Sequence, residues 1–163
     1  MELLSPDHAI VLVERTFVVV LRRPPTPSLV ATLEARVRAA VRIHSPPLGY
    51  LHVVLDVPTT GKVDDDSRTA LISFAKRTMH LSDCAAMVLM RSGFAGAAMR
   101  AVVTGALMAI RPNVPVRVFS EIDPATQFLS QNAPTEKPRD PAKVLRAANE
   151  LRAHLLQDFA PEG

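Results

Sequence analysis

Residues 85–90 read AAMVLM, six consecutive apolar positions, and this stretch decides how the rest of the chain is interpreted. A strand with one wet face alternates apolar and polar side chains, whereas a strand covered on both faces is apolar throughout. The stretch is followed by Ser92-Gly93, a turn signal, and then by a helical pattern. It therefore predicts a central strand of a mainly parallel sheet flanked by helices.

Strand and helix patterns alternate on both sides of this stretch. Two β-branched runs, at 9–13 and 17–21, come first and predict an antiparallel hairpin. Thr26 and Pro27 then predict the N-cap and first position of a helix. The whole order predicts one α/β domain over residues 1–131, with a mixed, mainly parallel sheet of about five strands and flanking helices. The remaining predicted strands lie at 50–57, 85–90 and 116–119, and the helices at 27–44, 67–80, 94–111 and 123–130.

The composition changes after residue 131. Residues 132–139 are polar and contain two prolines, which predicts a linker. Residues 140–163 then predict an appended C-terminal helix. Two heptads are too few for an independent coiled coil, so we expect this helix to dock on its own domain or on a partner. Its apolar positions are Val144, Ala148, Leu151 and Leu155.

Charge and cysteine usage exclude several classes of protein. The net charge is only +3, and the arginines of the first half have no aromatic neighbours, so we predict no nucleic-acid partner. The one cysteine, Cys84, excludes an internal disulfide framework and a cysteine-based zinc site. The first residues lack the pattern of a signal peptide, and the longest apolar stretch, 94–110, carries Arg100. These features predict a cytoplasmic protein.

No set of residues in the sequence predicts catalysis. The five histidines lack metal-ligand spacing, and there is no Gly-x-Ser-x-Gly turn. Residues 92–96, SGFAG, lack the lysine of a P-loop and the full dinucleotide-binding glycine pattern. The three aspartates at 64–66 lack the spacing of a calcium loop. We therefore predict a protein that is not an enzyme, with no catalytic residue, cofactor or metal.

Three segments together resemble a known family. Residues 53–57, VVLDV, form an apolar strand that closes on an aspartate; residues 65–68, DDSR, begin the next helix; residues 103–107, VTGAL, lie in the helix after that. With the order of elements over residues 9–131, they resemble the STAS domain of bacterial anti-sigma-factor antagonists. The DDSR segment departs from the family's Asp-Ser-Ser-Gly at Asp66 and Arg68.

The resemblance implies a non-enzymatic regulatory module that binds a protein partner, such as a kinase-like or signalling protein. It also implies that Ser67 is the phosphorylation candidate. A phosphate at a helix N-terminus meets unpaired N–H groups, although the neighbouring aspartates would repel it. The plainer alternative is that Asp66 or Ser67 caps the helix. The predicted partner-binding segment is Asp65, Asp66, Ser67 and Arg68.

The third predicted helix is apolar on nearly every side, so something must cover its outer face. The C-terminal helix, a second copy of the chain, another protein or a lipid surface could do so. We include Met99, Val103 and Met108 among the predicted partner-binding residues and expect a homodimer through the third or the C-terminal helix as one option. Membrane or lipid contact is the less favoured option. Two alternative functions remain, a carrier of a lipid or small apolar ligand and a structural subunit of a larger assembly.

Overall fold

The protein is built around a six-stranded sheet with helices on both faces, and the computed structural model describes residues 2–55, 64–110 and 112–157. This confirms the α/β class and the mixed, mainly parallel sheet. In the described residues the strands are β1 Glu2–Ser5, β2 His8–Val13, β3 Thr16–Leu21, β4 Leu48–Val54, β5 Ser82–Leu89 and β6 Val116–Phe119. The helices are α1 Pro27–His44, α2 Asp65–Thr78, α3 Gly93–Ile110, α4 Ile122–Gln131 and α5 Pro141–Gln157, with a short 3-10 helix at Met79–Leu81.

The strands lie side by side in the same order as in the chain. β1, β2 and β3 pair with each other antiparallel, whereas β3, β4, β5 and β6 pair parallel. Glu14 and Arg15 connect β2 to β3 with positive φ values of 46° and 59°, the backbone of a two-residue hairpin turn. The predicted hairpin is confirmed. The sequence pattern does not predict β1, because Glu2-Leu3-Leu4-Ser5 contains none of the β-branched or aromatic residues that favour strands.

The helices divide between the two faces of the sheet. α1 and α2 pack together on one face, and the side chains of α3 line a groove with those of β6 on the same face. Right-handed crossovers between neighbouring parallel strands give this arrangement. α4 and α5 cover the other face. β4 contributes side chains to the cores on both faces of the sheet. Leu48 and Tyr50 lie in the core under α1 and α2, and Leu51 and Val53 lie in the core under α4 and α5.

The C-terminal helix docks on its own domain. The four apolar residues predicted to form its inner face are each no more than 1% exposed, and α5 packs on α4, β2 and β3. One predicted option is therefore wrong, because α5 lies on the opposite face from α3 and does not cover that helix. The segment at 132–139, predicted as a linker, joins α4 to α5 and ends at the buried Arg139. Gly49 leaves room for this guanidinium, since a Cβ there would lie 2.9 Å from Arg139 Cζ.

Candidate protein-binding site at the N-terminus of α2

The first turn of α2 lies at the carboxyl edge of the parallel strands. α2 follows β4 and α3 follows β5, so both helices begin at the edge where these neighbouring strands end. Residues 56–63, which precede the turn, include the Asp56 and Val57 of the segment that resembles the STAS family, and they lie outside the described residues.

The helix cap is Asp64, not Asp66 or Ser67 as the sequence suggested. The N–H of Ser67 donates to Asp64 Oδ1 at 2.7 Å, and the Ser67 hydroxyl donates to Oδ2 at 2.9 Å. These two hydrogen bonds, the backbone one first, lower the pKa of the Asp64 carboxyl. The helix begins earlier than expected because Asp64 adopts extended backbone angles and its carboxylate reaches the free N–H of Ser67.

Ser67 differs from its neighbours because its side chain points inward. It is 1% exposed, whereas Asp65, Asp66 and Arg68 are all exposed. Arg68 Nη1 lies 3.6 Å from Asp65 Oδ1, an ion pair on the surface. Three of the four predicted contact residues therefore face solvent. The phosphorylation candidate is held inside by Asp64, and a modifying enzyme would have to draw its hydroxyl away from that carboxylate.

The outer face of α3 is a second exposed surface. Of the residues predicted to meet a partner, Met99 and Met108 are 40% and 72% exposed, whereas Val103 is half-buried. The predicted partner-binding residues did not include Phe94, which at 91% is the most exposed of the large apolar side chains described, or Val102 at 72%. The apolar character of the whole helix was the available signal, but it could not tell the inner side from the outer side.

The turn between β5 and α3 is held by its own side chains. Arg100 Nη1 donates to the carbonyl oxygens of Leu89 and Arg91 at 3.3 and 2.9 Å. Gly96 packs directly on this turn, because a Cβ at that position would lie 1.8 Å from the Arg91 carbonyl oxygen. Arg100 is thus used to fix the start of α3 to the end of β5. This geometry is that of a strand-to-helix turn.

A serine and a histidine three positions apart lie in contact at the turn between β1 and β2. Ser5 Oγ lies 2.7 Å from Nδ1 of the buried His8, and His8 Nε2 lies 3.1 Å from the carbonyl oxygen of Arg23. Burial lowers the pKa of His8. Ser5 Oγ also accepts the N–H of Asp7 at 3.1 Å, so the pair closes the turn between β1 and β2.

Within the described residues, no group of three or more His, Cys, Asp or Glu side chains could hold a metal ion. Cys84 is buried, and that burial raises its pKa to about 12, so its thiol is protonated at neutral pH. None of the helices in the described ranges is both long and apolar enough to cross a membrane.

Comparison of the chain with protein-family models, with curated proteins and with solved structures gives no match. The resemblance to the STAS family therefore rests on the residue segments and on the order of elements.

Proposed function

We propose that this chain is a non-enzymatic regulatory module that binds another protein, similar to a bacterial anti-sigma-factor antagonist, and that it acts in the cytoplasm. The observation that carries the proposal is the first turn of α2, which presents Asp65, Asp66 and Arg68 to solvent at the carboxyl edge of the parallel sheet. A kinase-like or signalling protein is the partner class that the resemblance implies.

The charges of this turn are well suited to recognition. An exposed pair such as Asp65 and Arg68 contributes little to folding stability, so exchanging it for contacts with a partner costs little. Charges at the rim of an interface mainly govern specificity and the rate of association. A partner that binds this turn would carry charges complementary to the carboxylates of Asp65 and Asp66 and to the guanidinium of Arg68.

Ser67 supplies the proposed control. Phosphorylation would add close to two negative charges beside the Asp64 carboxylate, which now accepts the Ser67 hydroxyl at 2.9 Å. The two anions would repel each other, and the capping hydrogen bonds would break. Asp65 and Asp66 lie between Asp64 and Ser67 in the chain. The surface that the partner binds would therefore be displaced when the cap breaks.

Charge reversal tests the docking surface. Affinity capture from the source cell would compare the wild type with Asp65→Lys/Asp66→Lys by quantitative mass spectrometry. The matched control is Asp123→Lys/Glu150→Lys, which makes the same change of charge at exposed positions on α4 and α5. We expect a partner that is retained by the wild type and the control and lost from the test variant. Equal recovery from all three proteins would contradict the proposal.

A second candidate function is a carrier of a lipid or small apolar ligand, which the exposed apolar side of α3 favours. Native mass spectrometry of the purified protein distinguishes it. A co-purifying apolar molecule that is lost on Phe94→Asp supports the carrier, and a mass equal to the bare chain counts against it.

A further inference from the structure

Two unusual features lie next to each other at one end of the sheet. β6 is an edge strand, since among the described residues it pairs only with β5. Beside it, the exposed side chains of α3 include no polar group, and the only charged residue of the helix, Arg100, is turned back to the start of the helix. We propose that a second copy of this chain covers both features, forming a two-fold dimer in which β6 pairs with β6 and α3 packs on α3.

The backbone of β6 is oriented for pairing. The Ala85 N–H donates to the Pro115 carbonyl at 2.9 Å, so Pro115 points toward β5. Because orientation alternates along a strand, Val116 and Val118 direct their N–H and C=O groups outward. An antiparallel copy that places Val118 opposite Val118 of the second copy pairs the outward groups of the two Val118 residues with each other, and it places Val116 opposite Ser120 of the second copy. It also places Arg117 opposite Phe119 of the second copy, so that the two Arg117 side chains are not directly opposed.

One row of α3 faces this open edge. Thr104 and Met108 line a groove of about 380 Å³ with Val116 and Val118. Helical periodicity places Ala97 and Ala101 in the same row, at spacings of four, three and four residues. In an antiparallel pair, Ala97 lies opposite Met108 of the second copy, and Ala101 lies opposite Thr104 of the second copy. Small side chains thus face larger ones, so this row of α3 is complementary to itself across the two-fold axis.

The spacing of the sheet agrees with this packing. Strands lie about 4.8 Å apart, and α3 packs over β5 and β6. A two-fold axis beside β6 therefore sets the two copies of α3 about two strand spacings, or roughly 10 Å, apart, within the usual distance between packed helices. No like charges meet along the helices, because the facing rows carry none.

The size of the interface sets the expected affinity. The exposed row from Phe94 to Met108 is about 21 Å long at 1.5 Å per residue. With the edge strand it provides roughly 400–500 Å² per partner, below the 800 Å² or so of a standard interface. We therefore expect a dimer that dissociates at micromolar concentrations and not a permanent one.

Sedimentation and cross-linking test the proposal. The wild-type mass should rise from 17.7 kDa toward twice that value as the concentration rises from about 1 to 200 µM. A mass of 17.7 kDa throughout overturns the dimer and leaves the α3 face to a lipid or another protein.

The double variant Ala97→Cys/Met108→Cys tests the arrangement. The two positions lie about 16 Å apart along one helix, too far for a disulfide within one chain. Mild oxidation should therefore give a covalent dimer in the double variant and none in either single variant. Cross-linking of a single variant, or no cross-linking of the double variant, overturns the antiparallel packing.

Ala101→Glu should weaken the dimer at least ten-fold, because it places two carboxylates near the two-fold axis. The matched control is Ile43→Glu, at a position 76% exposed on α1. It should leave the dissociation constant unchanged. Equal effects of the two substitutions would refute the proposed interface. Ala101 is exposed, so thermal unfolding at low concentration should be the same for Ala101→Glu and the wild type and will show that the variant folds.

Discussion

The ion pair between Arg139 and Asp83 joins the segment before α5 to the start of β5. Arg139 Nη2 donates to Asp83 Oδ2 at 2.6 Å, and the two side chains are 1% and 10% exposed. Arg139 Nη1 also donates to the carbonyl oxygen of Leu129 at 3.2 Å. The guanidinium therefore links α4, α5 and the sheet at a place from which water is largely excluded. We expect it to be a major contributor to the docking of α5.

Replacing Arg139 with Met keeps much of the volume and removes the charge. Asp83 is then left almost buried without its partner, and the Leu129 carbonyl loses a donor. Removing one member of a buried ion pair costs about 3–5 kcal/mol of unfolding free energy. Asp83 keeps one edge near solvent, so we take the lower end, about 3 kcal/mol. In a domain of this size that corresponds to a fall in Tm of about 10 °C.

The assay is urea and thermal unfolding followed by far-ultraviolet circular dichroism, applied to Arg139→Met, Asp83→Asn and the double variant. The double variant should lose less than the sum of the single losses by at least about 1 kcal/mol, because the two residues act on each other. Lys143→Met is the control, since its pair with Glu14 lies at the surface and should contribute little to stability. Additive losses, or an Arg139→Met effect no larger than that of the control, would refute the reasoning.

Three further outcomes follow from the buried groups. The Cys84 thiol, with its raised pKa and no open surface, should react with a thiol reagent at neutral pH only at the rate of unfolding, and rapid labelling of the native protein would contradict this. Burial lowers the pKa of His52 from 6.5 to about 4, so the folded state favours the neutral ring. The free energy of unfolding should therefore have its full value above pH 6.5 and fall by about 1–2 kcal/mol between pH 7 and pH 5, because only the unfolded state takes up a proton at His52. His52→Gln should flatten this part of the pH profile. Ser67→Ala should cost about 1 kcal/mol through one lost hydrogen bond, whereas Ser67→Asp should cost more because it places a carboxylate against Asp64; equal losses in urea unfolding would argue against the observed cap.

Local patterns predicted much of the architecture. Thr26 caps α1, accepting the Leu29 N–H at 3.3 Å as expected, and the β2–β3 hairpin forms where the β-branched runs lie. Such features depend on residues only a few positions apart, so the sequence displays them directly. The cap of α2 was predicted only to within two or three residues, because three consecutive aspartates offer the same chemistry and only the backbone angles choose among them.

At the candidate site, the burial of individual side chains could not be predicted from the sequence. The segment DDSR marked the turn, but the burial of Ser67 follows from how the first turn of α2 sits on the domain and from the capture of its hydroxyl by Asp64. The exposure of Phe94 likewise depends on which side of α3 meets the sheet, and an evenly apolar helix gives no local signal of that choice.

Local patterns were sufficient to predict the order of β2 to β6 and of the five helices, and also the inner face of α5, because period and capping are properties of neighbouring residues. Local patterns did not show which face of the sheet α5 covers, nor that Arg139 meets Asp83 across 56 positions; the tertiary structure sets both. The long-range pairings depend on the topology of the sheet, which sets distances between elements that no local pattern encodes. The same topology leaves α3 and the edge of β6 exposed side by side.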